Sequence, residues 1–174
     1  RKRRADIQAA VREQQDRVRQ TMERARQAAE SPEAKRQEAA RAEVVRLCRD
    51  GELGQAAAAF ERFVSEYDLS KPGTAIGADQ MLRLGQYLVE QERTEQAAVL
   101  FRAFVTQHKS HAQAPSSKLM LGLLLSRRLG RPDEAEPFIR EARDRLVGDE
   151  QQLADELLAE ITEGQPPASD EHEA

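Results

Sequence analysis

An all-α fold, in which antiparallel helix hairpins stack into a short solenoid behind one long amino-terminal helix, is what this 174-residue sequence predicts. Three observations carry the expectation. The chain is 39% hydrophobic, yet 27 of those residues are Ala, a side chain suited to closely packed helices rather than a bulky mixed core. Val, Ile and Thr together number only 18 and are scattered, so alternating strand runs are nearly absent. Beyond residue 50, Gly and Pro recur at intervals that cut the chain into helix-length stretches joined by short turns.

The first element is one uninterrupted helix from Ala5 to Ala29, a stretch without Gly or Pro and rich in Ala, Arg, Gln and Glu. Its apolar positions Ile7, Val11, Val18, Met22, Ala25 and Ala29 trace a thin seam of coiled-coil type, with Gln14 and Gln15 where Leu would strengthen it. Three roles fit this seam: self-association through residues 5–29, a solvated stalk, or a helix lying on its own domain. Ser31, Pro32 and Glu33 then give an N-cap, a first-turn Pro and an acidic first turn, so a second helix runs to about Asp50 and stops at Gly51.

Further helices follow at Leu53 to Tyr67, Ala78 to Glu92, Thr94 to His108, Ser116 to Leu129, Pro132 to Leu146 and Asp149 to Thr162. The turns at Gly51 to Gly54, Glu92 to Thr94 and Gly130 to Pro132 are too short for anything except antiparallel neighbours. The domain reading is therefore a basic helix at 1–30, a helical repeat domain at 31–163 and a disordered acidic tail at 164–174.

The hairpins are self-similar. Leu84, Gly85 and Leu88 are followed by Ala97, Phe101 and Phe104; Leu121, Gly122 and Leu125 by Ala135, Ile139 and Ala142; and, more weakly, Val44, Val45 and Leu47 by Ala56, Phe60 and Phe63. Gly and Ala at the crossings let the two helices approach closely, and the Phe or Ile beyond fills the space toward the next unit. The third unit carries one extra residue, assigned to its turn. Asp149 to Thr162, with Leu153, Leu157, Leu158 and Ile161 on one side, reads as a capping helix.

These positions resemble the tetratricopeptide repeat, over residues 37–146, with Met81 and Lys118 ahead of the Leu-Gly pairs and Leu88 and Leu125 where that family usually has Tyr. The resemblance implies a non-catalytic protein-interaction scaffold whose first helices line a concave groove. It places Asp79, Leu82, Gln86, Val89 and Glu90 of the second unit, and Ser116, Leu119, Leu123, Ser126 and Arg127 of the third, on that groove. Arg41, Val45, Cys48 and Arg49 would add the first unit's share. Leu82, Val89, Leu119 and Leu123 would form an apolar strip that either holds a protein or peptide partner or is covered by the chain's own first helix.

Other chemistry finds little footing. His108 and His111 lie near a Lys without Cys or carboxylate at ligand spacing, and read as exposed residues of a connection; no metal or cofactor is expected. Cys48 reads as a structural thiol, and Lys71 to Thr74 as a turn rather than a phosphate loop. Residues 1–46 carry 13 Lys or Arg against 8 Asp or Glu, whereas residues 47–174 carry 14 against 23. Asp6, Glu13, Asp16 and Glu23 interrupt the Arg-rich start, so no nucleic-acid partner is expected. Arg1 to Arg4 instead fits the basic cluster that follows a membrane span on the cytoplasmic side, a solvated helix start, or an address signal. On the first of these the chain is the cytoplasmic tail of a bacterial membrane protein, whose parent could be a protease of the rhomboid kind, with the membrane reached through residues upstream of Arg1. The alternative is a periplasmic cell-envelope adaptor, similar in layout to the coiled-coil coordinator associated with the Tol-Pal system.

Overall fold

The computed structural model describes residues 2–29, 31–69 and 73–164. Among these, all regular structure is helical. Helix α1, Lys2–Ala29, has residues 13–27 exposed, and its main contacts with other helices are with α2. Helix α2, Pro32–Asp50, begins as its sequence predicts: Ser31 is extended, and its Oγ accepts the Ala34 amide hydrogen at 3.1 Å. No helix among the described residues is long and apolar enough to cross a membrane.

From here the chain folds into three hairpins. Helix α2 pairs with α3, Leu53–Glu66; α4, Ala78–Glu90, pairs with α5, Thr94–Gln107; and α6, Ala114–Leu123, pairs with α7, Pro132–Arg143. Helix α8, Asp149–Gly164, packs on α7 and α6 and so caps the stack. It takes in Gly164, the first residue of the expected tail; residues 165–174 of that tail lie outside the described residues.

The repeat is visible in backbone geometry. Each hairpin turn places one residue in the left-handed region, Gly51 at φ 81°, Glu92 at φ 54° and Gly130 at φ 64°. The next amide closes the turn by a bond back into the preceding helix, from Glu52 to Leu47 O at 3.0 Å and from Arg93 to Leu88 O at 2.9 Å. Counting four residues on from Glu52, Arg93 and Arg131 reaches Ala56, Ala97 and Ala135; eight reaches Phe60, Phe101 and Ile139. All six are buried, and with Phe63, Phe104, Leu88 and Leu125 they form one continuous core. A fully buried side chain of this size contributes about 1.5–3 kcal/mol by removal from water.

The extra residue of the third unit is not in its turn. Residues Leu124–Arg128 continue α6 as a π-helical turn, and the closing bond runs from Arg131 to Leu125 O at 2.8 Å, one residue longer than in the other units. A single inserted residue is absorbed in this way without breaking the helix, and every side chain after it is turned by about 100°. Helix α6 also starts two residues earlier than Ser116, because Pro115 fits the first turn of a helix.

The long connection between α3 and α4 is fixed by the carboxy-terminal end of α5. The Gln107 side chain donates to Leu69 O at 2.9 Å and accepts the Ile76 amide hydrogen at 3.4 Å, while the His108 ring meets Ile76 O at 2.8 Å. His108 and His111 both lie against the Phe104 ring, with centroids 5.2 and 5.5 Å away, and both are half-buried. They are packing residues, not the exposed pair that their position in a connection suggests.

Candidate functional site

Successive first helices do not pack evenly. Helix α2 rests on α4 and α6 rests on α8, whereas α4 and α6 hardly touch. The space between them is an open groove of about 620 Å³, with the buried Phe101 of α5 as its floor. Helix α4 supplies Asp79, Leu82, Arg83 and Gln86 to one wall. The other wall is Gln113, Ser116, Ser117 and Met120, from the start of α6 and the residue before it. Two backbone bonds, His111 to His108 O at 3.0 Å and Ala114 to His111 O at 3.0 Å, make a tight double turn that delivers α6 to this position.

The groove is apolar at its base and polar at its rim. Leu82 and Met120 are half-buried and Ser117 is buried, while Asp79, Arg83, Gln86 and Gln113 are exposed. Asp79 and Arg83 are one helical turn apart on α4, and neither has an ion-pair partner among the described residues. The rim therefore offers one carboxylate and one guanidinium to an incoming chain.

Of the residues expected on the groove, Asp79, Leu82, Gln86 and Ser116 line it. Val89 and Glu90 lie beyond it in the last turn of α4, Val89 half-buried against the core. The rest of the third unit is placed elsewhere, with Ser126 and Arg127 beside Glu160 of α8. Leu119 is only 4% exposed and belongs to the core, Leu123 is half-buried, and Arg127 is engaged by α8.

The cause is the position of α8. Ser116 Oγ donates to Glu150 at 3.0 Å near one end of that helix, and the Arg127 guanidinium meets both carboxylate oxygens of Glu160, at 3.0 and 2.6 Å, near the other. Leu119 and Leu123 share the face of α6 between these anchors, so α8 covers them. The same hydrogen bond from Arg127 holds the Glu160 carboxyl below its ordinary range. Residues 13–27 of the amino-terminal helix do not fill the groove: they are exposed throughout.

In the first unit, Cys48 is fully buried, and burial pushes its thiol pKa up, with the nearby Arg83 charge pulling the other way. Arg41 is turned to Glu38, at 2.6 Å, and to Ala75 O, at 3.1 Å. Among the described residues no group of three or more His, Cys, Asp or Glu is placed to hold a metal ion. Sequence reasoning missed Arg83, Phe101, Gln113, Ser117 and Met120. The alignment of Leu-Gly pairs carries no information on the gap between α4 and α6 that exposes them.

No protein-family model matches the chain, and no curated protein matches it at a significant level.

Proposed function

We propose that this chain is a non-catalytic protein-interaction scaffold that holds a peptide segment of a partner protein in the groove between α4 and α6. The observation that carries this reading is the separation of those two helices over a Phe101 floor, with an unpaired Asp79 and Arg83 at the rim. A volume of about 620 Å³ accommodates a few side chains and not a whole helix, so the reading favours a short peptide. Leu82, Phe101 and Met120 would take its apolar residues, and Asp79 and Arg83 would fix its direction by pairing with opposite charges. The resemblance of the hairpins to the tetratricopeptide repeat, whose members bind partners on this side of the stack, supports the same reading.

The test is selection of peptides from a random library with the chain as bait, followed by binding measurements on variants. Arg83→Glu and Met120→Asp should each weaken the selected peptides at least about tenfold, a loss of ~1.4 kcal/mol. Peptides whose affinity is unchanged by both substitutions would sink the proposal.

A further inference from the structure

Residues 13–27 of α1 pack on nothing in the stack, yet their side chains are sorted by charge around the helix. At about 100° per residue, Val18, Met22 and Ala25 fall on one narrow strip, with Arg19 and Arg26 along one edge and Arg17 and Arg24 along the other, roughly 80–120° from its centre. The acidic residues Glu13, Asp16 and Glu23 all lie on the opposite side. Val18 and Met22 are 51% and 70% exposed, so the strip is bare. Arg17 reaches round to Glu13 at 2.5 Å, whereas Arg19 and Arg24 have no ion-pair partner among the described residues.

This arrangement selects among occupants. A second copy leaves the arginines uncompensated: in an antiparallel pair the Arg19 and Arg26 edges would oppose each other, and in a parallel pair that edge would face the partner's Gln14 and Thr21. Neither orientation brings a carboxylate to the arginines. A polynucleotide would satisfy the arginines but leave the apolar strip facing phosphates. A flat anionic surface satisfies all three features at once, because it receives the strip along its centre and both basic edges at the same level, with the carboxylates turned to water.

We propose that α1 lies along the surface of a bilayer containing anionic lipid, with Val18 and Met22 inserted at the headgroup boundary and Arg17, Arg19, Arg24 and Arg26 among the phosphates. The helical stack then stands off the membrane with its groove accessible. Because the strip lacks Leu, Phe and Trp, most of the attraction is electrostatic, about fivefold in affinity per basic residue near the surface, and it is screened by salt. The proposal does not depend on the groove reading.

The test is flotation of the full chain with vesicles of phosphatidylglycerol and phosphatidylcholine, against vesicles of phosphatidylcholine alone. Binding is expected to the anionic vesicles only, and to be lost between about 0.05 M and about 0.5 M salt. A triple Arg19→Gln, Arg24→Gln, Arg26→Gln variant should bind on the order of 100-fold more weakly. Met22→Asp should also weaken binding, while Glu13→Gln should leave it intact or raise it, all with unchanged thermal unfolding of the stack. The proposal is overturned by absence of flotation with anionic vesicles, by equal flotation with phosphatidylcholine, or by undiminished binding of the triple variant. Sedimentation showing an oligomer that Met22→Asp converts to monomer would overturn it in favour of self-association.

Discussion

The Cβ atom that Gly122 lacks would stand 2.2 Å from Cγ1 of Ile139, at the crossing of α6 and α7; at the equivalent crossing of α4 and α5, the nearest atom to a Cβ on Gly85 is Cζ of Phe101 at 2.9 Å. Ile139 is fully buried and branched at Cβ, so it cannot swing aside. The Phe101 ring borders the open groove and has room to tilt. Gly122→Ala should therefore destabilise by about 2–3 kcal/mol, and Gly85→Ala by ~1 kcal/mol or less after the helix-propensity gain is counted. Urea unfolding of the two variants checks the order. Gly85→Ala should also narrow the groove and weaken any peptide selected against it.

Glu92 and Gly130 hold the same left-handed position in successive hairpin turns, and only one of them is a glycine. Glu92→Gly should stabilise by about 1 kcal/mol by relieving a side chain in that region. Gly130→Ala should cost about the same, and since nothing lies within 4 Å of a Cβ there, the cost is one of backbone alone. Thermal melts of opposite sign are the expected outcome.

The hairpins were legible because their causes are local. Ser31 caps, Gly51 and Gly130 turn, and Ala97, Ala135, Gly85 and Gly122 recur at helical spacing with the large residues that fill the stack. The site was legible on its α4 wall, at Asp79, Leu82 and Gln86, but on its α6 wall only at Ser116. Whether Leu119 faces a ligand or a neighbour depends on where α8 docks, and α8 carries no signal of that in its own periodicity. The π-helical turn escaped for a related reason: one extra residue can be absorbed in a helix or in a turn, and Ser126, Arg127, Arg128 and Leu129 suit either.

Leu119 and Leu82 occupy equivalent places in their units but different surroundings, which separates fold from function. Leu119→Asp buries a carboxylate in the core beneath α8, and should cost at least ~3 kcal/mol with loss of helical circular dichroism on mild heating. Leu82→Asp alters a half-buried side chain on the groove wall, and should keep a cooperative melt while abolishing peptide capture. Equal destabilisation by both would mean that Leu82 is held as tightly as Leu119.

Val44, Leu47 and Cys48 share the buried side of α2, and the Cys48 thiol has no exposed surface. Burial raises its pKa above that of the unfolded chain, with Arg83 offsetting part of the rise. The neutral thiol is therefore the form that the fold favours. Its contribution is fully present below the unfolded pKa of about 8.5, and is lost as pH rises toward and through the folded pKa, because only the unfolded chain then gains by ionising. Between about pH 7.5 and pH 10, stability should fall more steeply in the wild type than in Cys48→Ala, whose absolute stability is lower at neutral pH. Disulfide-reagent labelling at mild alkaline pH should be at least about 100-fold slower in the folded chain than in urea, following the opening equilibrium rather than thiol chemistry. Rapid labelling of the native chain would show that α2 opens far more readily than its burial against α3 and α4 implies.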